Sequence, residues 1–523
     1  MGKVRNILFI MCDQLRADCL SCYGHPRLET PNIDRLAVMG VRFSNAYVQS
    51  PTCLPSRMSY YTGRYVVSHG ATWNMVPMGV GQWTLGDHLR PLGLRVALAG
   101  KTHMFPDLAG MRRLGVDPGS GPGELARECG FEPYERDDGL HPDPVLDPDL
   151  PYNRYLKSRG YEGKNPWHDH ANAGEGPGGE IASGWYMRNA RLPARVREED
   201  SETAYMTDRA IAFVEEMGDR PWLLHLSYIK PHWPYIAPAP YHAMFGPEDC
   251  LPVLRAADEL DDPHPVFAAS MNHEWSRNFR RDEVRDTVLP TYMGLVKQID
   301  DHLGRLFKVL EDRGRMDDTM IVFSSDHGDY LGDHWLGDKE MFHEVAIQTP
   351  LVVYDPDPDA DGTRGQVDRR LVEAIDLTPT FIEALGGSVA DHVLEGRSLM
   401  PLLRGQQVVW RDGVFSELDY AFRPARHELG RGPDECFAFM VRTESWKYIH
   451  FEGYRPMLFD LVNDPDEFMD LGADPSYARA RGEMRDRLFE WFSRRKCRTA
   501  ITNPEVERLT DSDRQFGVII GVW

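Results

Sequence analysis

The sequence predicts an α/β protein in which a large, doubly wound mixed sheet is flanked by helices and followed by a smaller C-terminal α+β domain. Three observations predict it. Continuous apolar runs such as Ile7 to Met11 and Thr319 to Ser324 read as strands buried on both faces. Strand-like and helix-like stretches alternate through the first 400 residues. Beyond about 400 the alternation gives way to short strands separated by turns. A chain of 523 residues also exceeds what one hydrophobic core usually serves, which fits one large domain with a smaller one attached.

Taken in order, the first strand covers Ile7 to Met11 and ends in Asp13-Gln14. Both side chains then project from the carboxyl end of a central strand, where open α/β sheets place their ligands. A helix begins at Pro31, and Val41 to Phe43 begins the next strand. Cys53 stands after a strand-like run and before a helix-like one, and Leu54-Pro55 suits a first helical turn. Cys53 would lie at a helix N-terminus, where unpaired N–H groups and the dipole favour an anion. Arg57, one turn on, is expected to point its guanidinium back toward Cys53. Trp83 to Leu92 reads as a helix and Arg95 to Ala99 as a strand, with Gly100-Lys101-Thr102-His103 turning at its end.

From about 105 to 200 the pattern dissolves into Gly, Pro, Asp and aromatic residues. Loops this long are functional or disordered, and this one is expected to lie over the active site as an insertion that shapes substrate choice. A helix over 202–217 and a strand over 222–228 follow, the latter leading into Lys230-Pro231-His232-Trp233-Pro234. A helix over 284–314 precedes the strand 319–324, which ends in Ser325-Asp326-His327-Gly328-Asp329. The loop from Gly332 to Lys339 then leads to a strand at Pro350 to Tyr354 and a helix near 376–386, completing a catalytic domain over 1–400. In the C-terminal domain, 401–497, strands at 438–442, 446–450 and 457–461 form a meander that a helix over 476–495 crosses. The tail 498–523 ends in the apolar stretch Phe516 to Trp523, which is expected to reach a neighbouring subunit of a homo-oligomer, a dimer or tetramer.

The formal net charge of −22 argues against nucleic acid or a membrane surface as partner. A small anionic substrate would need a local cluster of cations or a metal to draw it in. The apolar run from Ile7 to Cys12 is too short for a signal-peptide core or a bilayer span. Eight irregularly spaced cysteines give neither a disulfide framework nor a zinc pattern, so a cytoplasmic location is expected.

Cys53-Leu54-Pro55-Ser56-Arg57, followed by Tyr61-Thr62-Gly63-Arg64, resembles the maturation signature of sulfatases and their phosphonate monoester hydrolase relatives. Tyr61 stands where Leu is usual. The resemblance implies an alkaline-phosphatase-like fold, and oxidation of Cys53 to formylglycine by a formylglycine-generating or equivalent maturation enzyme. Asp13-Gln14 and Asp326-His327 are two acid–amide/imidazole pairs at strand ends, a donor set suited to one divalent cation, Mn²⁺ or Ca²⁺ with Mg²⁺ possible. Beside Cys53 they match the metal positions of this family, and Cys53 itself would be a ligand once modified. By the same resemblance Arg57 would steady the formylglycine. Lys101 and His103 look like the Lys-x-His element of sulfatases, where the phosphonate monoester hydrolases typically have Tyr and Thr. His232 and Lys339 match groups that contact the substrate and leaving group, and Asn74 a substrate-contacting Asn. Gln14 and His327 look more like the phosphonate monoester hydrolases. The implied activity is hydrolysis of a small anionic ester: an aryl sulfatase promiscuous toward phosphonate monoesters and phosphodiesters. The alternatives are a phosphonate monoester hydrolase or phosphodiesterase, and a non-catalytic anion-binding relative.

Overall fold

Alternate residues of the first strand, β1 (Asn6–Asp13), bury into two different hydrophobic layers. Ile7, Phe9 and Met11 face one layer, and Leu8, Ile10 and Cys12 the other. A strand covered on both faces must be apolar throughout, which is why it reads as an unbroken run. The computed structural model describes residues 4–139 and 150–510, together with 512, 515 and 517.

Seven further strands join β1 in one sheet. They are β2 (Val41–Phe43), β3 (Arg95–Gly100), β4 (Glu132–Arg136), β5 (Trp222–Pro231), β6 (Thr319–Ser325), β7 (Leu351–Tyr354) and β8 (Val367–Asp368). The order is β8-β2-β7-β6-β1-β5-β3-β4, and only β7 runs antiparallel to its neighbours. Register aligns Cys12 with Ser325 of β6 and with Tyr228 of β5, and Gly100 of β3 with Ser227. Four parallel strands therefore finish at one edge. The residues that follow them, Asp13-Gln14, Lys101 to His103, His232 and Asp326-His327, converge there.

Helices α1 (Pro31–Met39), α3 (Glu202–Met217) and α4 (Asp282–Asp312) cover one face, through residues such as Ile33, Phe213 and Leu303. Helices α2 (Cys53–Thr62) and α5 (Leu377–Ala384) cover the other, through Met58 and Phe381. β4 lies inside the 105–200 stretch that carries no strand signal. It is the edge strand, and every one of its residues is only half-buried, so no apolar run marks it.

The smaller domain is an antiparallel meander of β9 (Gly413–Asp419), β10 (Phe437–Thr443), β11 (Trp446–Phe451) and β12 (Met457–Asp460). Helix α6 (Ala478–Ser493) packs Met484, Leu488 and Trp491 against Val441, Tyr448 and Leu458. β9 is absent from the sequence reading because Ser416, Glu417 and Asp419 occupy buried positions and break its apolar pattern. Trp491 meets Tyr65 of the large domain edge to face, ring centres 5.1 Å apart. Phe516 and the residues from 518 to Trp523, on which the oligomer expectation rests, fall outside the described residues. Among the described residues no helix is long and apolar enough to cross a membrane.

Gly100 ties the sheet to the site. Its φ is +116°, and a Cβ there would lie 1.9 Å from the carbonyl oxygen of Ser227. Gly100→Ala is predicted to destabilise the fold by about 2 kcal/mol or more and to displace Lys101. A chemical denaturation midpoint unchanged from the parent protein would contradict this.

Candidate active site

Helix α2 starts at Cys53, and all ten of its residues are buried. No side chain of its own N-cap closes its start. Asn74 Oδ1 reaches in from a loop and accepts the N–H of Leu54 at 3.0 Å. Gly63 ends the helix at φ +64°, a left-handed position that glycine takes without strain. Around Cys53 Sγ stand His327 Nε2 at 3.1 Å, Lys339 Nζ at 3.3 Å and Asp13 Oδ1 at 3.8 Å. Burial and Asp13 push the thiol pKa up, but Lys339, Lys101 and His327 outweigh them and hold it below its ordinary value. Any anionic nucleophile at position 53 meets the same cations.

Arg57 is fully buried, and its hydrogen bonds run to the sheet edge. Nε donates to Asp326 Oδ2 at 2.7 Å and Nη2 to Asp13 Oδ2 at 3.2 Å. Nη1 donates to the Lys101 carbonyl at 2.7 Å and to Ser227 Oγ at 2.8 Å. The guanidinium thus spends its donors on the carboxylates under Cys53, and none of these bonds goes to Cys53 itself. Lys101 Nζ donates to the same Asp13 oxygen at 2.5 Å. Burial would raise the pKa of Asp13, yet Lys101, His232, Arg57 and Lys339 hold it well below the usual carboxylate range.

His232 Nδ1 lies 2.7 Å from the Trp233 carbonyl, so that nitrogen carries the proton. Its Nε2 then keeps a lone pair, 3.3 Å from Lys339 Nζ. Direct contacts therefore join Asp13, Gln14, Cys53, Arg57, Lys101, His232, Asp326, His327 and Lys339. Asn74 touches this group only through the start of α2. His103 faces the shared cavity without a side-chain bond to the others, its Nδ1 buried and unpartnered.

Asp13, Cys53, Asp326 and His327 offer ligand atoms that lie within 4.8 Å of one another. His327 Nδ1 faces the Gly328 carbonyl at 2.9 Å, which turns Nε2 toward the cluster. Gln14 Nε2 donates to Asp329 Oδ2 at 2.5 Å and Asp338 Oδ1 at 3.1 Å, so its Oε1 is left to face Lys339 Nζ at 2.9 Å. Gln14 holds φ +65°, a conformation that costs a non-glycine residue about 1–3 kcal/mol. Burial opposes a charged His327, but Asp326 and Cys53 raise its pKa to about 9. A divalent cation would supply the charge that this proton supplies. Two buried carboxylates, an imidazole nitrogen and an oriented amide oxygen fit such an ion.

Above Cys53 opens a cavity of about 290 Å³. Lys101, His103, His232 and Lys339 line its floor, with Trp73, Trp167, Trp185 and Trp233 among its walls. Trp167 Nε1 donates to Glu202, at 3.1 Å, another wall residue. Arg423 enters from the smaller domain, its guanidinium between the rings of Trp73 and Trp275 at 4.9 and 4.8 Å and paired with Glu340. Sequence reasoning missed the tryptophans, Glu202, Asp329, Asp338 and Arg423. Asp329 sits inside the quoted strand-end motif and Asp338 in the loop beside Lys339, and both could have been read there. The only signal for Trp167 and Trp185 is the aromatic richness of an aperiodic stretch, and Arg423 has none.

Arg57→Met is predicted to cost about 3–5 kcal/mol of stability, because it strips two buried carboxylates of their shared partner. Arg57→Lys should restore only part, keeping the charge without the fork. A loss below about 1 kcal/mol in urea denaturation, the range of a surface pair, would contradict this account.

A model of the sulfatase family matches residues 5–387, and one described as N-sulphoglucosamine sulphohydrolase, C-terminal, matches residues 332–494. The multifunctional alkaline phosphatase superfamily protein PehA of Trinickia caryophylli is 32% identical over 515 residues, 93% of this chain and 95% of that one. An arylsulfatase of Clostridium perfringens is 27% identical, over 89% of this chain and 90% of its own. Among solved structures, the phosphonate monoester hydrolase SpPMH of Silicibacter pomeroyi superposes with a TM-score of 0.83 at 29% identity, covering 94% of this chain and 96% of that one. The match runs through the sheet, α2 and the strand-end residues alike: the chain belongs to the sulfatase family of the alkaline phosphatase superfamily.

Proposed function

We propose that the protein is a formylglycine- and metal-dependent hydrolase of sulfate monoesters, of the arylsulfatase kind, with further activity toward phosphonate monoesters and phosphodiesters. The observation that carries this reading is the ring of His327, Lys339 and Asp13 within 3.8 Å of Cys53 Sγ at a buried helix start. Bound by Asp13, Gln14, Asp326, His327 and position 53, a divalent cation would polarise the ester oxyanion and acidify a hydroxyl nucleophile. Converted to formylglycine and hydrated by one water, position 53 would supply that hydroxyl and a second one, whose deprotonation lets the aldehyde reform as the product leaves, without water attacking sulfur.

The chain's own residues do the rest. Arg57 pairs with both carboxylates and fixes them in place. Lys101 and Lys339 lie against the charge that grows on the transferring group. Lys339, between Cys53 and His232, is also placed to offset charge on the departing alcohol oxygen. His103 lines the cavity with its Nδ1 unpartnered, an imidazole suited to taking a proton when the product is released. The indole-lined walls suit an aryl leaving group.

A second reading, a phosphonate monoester hydrolase, is favoured by Gln14 and His327 in the donor set and by the likeness to SpPMH. The two separate on kcat/KM for an aryl sulfate and an aryl phosphonate monoester, with Cys53→Ala as the blank. The expected outcome is a larger value for the sulfate and loss of both activities in Cys53→Ala. A larger value for the phosphonate selects the second reading. Mass spectrometry of the Cys53 peptide from active protein should find an aldehyde, and a peptide carrying only the thiol rules out both formylglycine readings.

A further inference from the structure

The turn Lys101-Thr102-His103 delivers two groups to the cavity in a conformation its own residues disfavour. His103 holds φ +57°, a region non-glycine residues seldom adopt. Among the described residues no side-chain hydrogen bond sets its ring, whose Nδ1 is buried without a partner. Catalytic imidazoles are ordinarily aimed by a second group bonded to the ring. Here the aim has to come from the backbone.

The segment after β4 supplies it. Asp138 Oδ1 accepts the backbone N–H of Thr102 at 3.0 Å and that of His103 at 2.9 Å. Asp138 Oδ2 accepts Arg136 Nε at 2.9 Å and also its Nη2. Arg136 Nη1 donates to Glu128 Oε1 at 2.5 Å, and Glu128 Oε2 accepts Thr102 Oγ1 at 3.2 Å. The ring closes on the turn where it began. Hydrogen bonds to an ionised acceptor are stronger than neutral ones, and the carboxylate is held by the paired arginine.

We infer that Asp138 is a positioning residue, fixing the left-handed turn at His103 through two backbone N–H groups and so setting where the imidazole stands against the ester. Lys101 has a second anchor in Asp13, so the effect falls chiefly on His103. The inference rests on the reading of His103 as a proton-handling group.

A double-mutant cycle tests it. Asp138→Ala should lower kcat/KM at least about tenfold in the parent protein but less than about twofold in a His103→Ala background. Asp138→Asn keeps Oδ1 but turns an amide N–H₂ toward Arg136, and should fall between the parent and Asp138→Ala. Equal losses in the two backgrounds, or an Asn variant as poor as Ala, overturn the inference. If Asp138→Ala does not fold, Arg136→Met cuts the ring from its far side and is read in the same cycle. One readout is independent of turnover. Burial and Lys101 hold His103 well below the ordinary imidazole pKa of 6.5, and its NMR signal is the one missing from His103→Ala. In Asp138→Ala the chemical shift or the titration of that signal should move from the parent's, and a signal unmoved in both overturns the inference whatever the activity. A moved signal in a protein that hydrolyses neither ester sinks the functional reading and leaves the positioning role standing.

Discussion

Two carboxylates, Asp13 and Asp326, are fully buried at the ends of adjacent strands, and one guanidinium bridges them. Carboxylates taken out of water this completely either pair or give up their charge. Arg57 settles the matter by donating to both, and much of the remaining geometry follows. Because it sits one turn into α2, its docking fixes how that helix is rotated and how far it reaches across the sheet edge. Cys53, the first residue of the same helix, then has one place to stand, over the pair. The helix is buried all round, and its polar side chains are satisfied inside: Ser56 Oγ donates to the Asp326 carbonyl at 2.5 Å.

Much of this was legible in the sequence, for identifiable reasons. β1 and β6 are covered on both faces and therefore wrote themselves as apolar runs. The polar pairs that end them are conspicuous because they interrupt those runs. Proline inside the first turn marked the start of α2. β4 and β9 were not legible, the first because an edge strand needs no apolar run, the second because it buries acids. Spacing put Arg57 on the face of Cys53. It could not say that the carboxylates, contributed by strands 44 and 269 residues away, would claim the guanidinium first. Arg423 and the walls of tryptophan depend on loop paths, which periodicity does not encode.

The cavity has two makers. Its floor comes from the ends of parallel strands and from α2, elements fixed by the core. Its walls come largely from the aperiodic stretch, through Trp167 and Trp185, and from the smaller domain, through Arg423, with Trp73 and Trp233 added from the loops that follow α2 and β5. In the proposed reaction the floor handles the transferring group, common to every ester considered, while the walls meet the alcohol, which varies. Chemistry and selection therefore sit largely on different parts of the chain, meeting where Trp233 follows His232. Loops accept sequence change more readily than core elements, so the walls can diverge while the floor stays intact.

Cys53 is 1% exposed, inside a helix with no solvent-facing residue. An enzyme that oxidises its thiol has to grip the surrounding peptide, and the finished fold leaves nothing there to grip. Under the proposed reaction, maturation and folding would run as a race on each new chain. The converted fraction would depend on how fast the modifying enzyme captures the segment relative to the docking of α2 onto the sheet edge. Chains that fold first would be sealed with a thiol in place, native in structure and without the proposed nucleophile. A preparation of this protein would then be a mixture whose specific activity records the outcome of that race, while its melting curve does not.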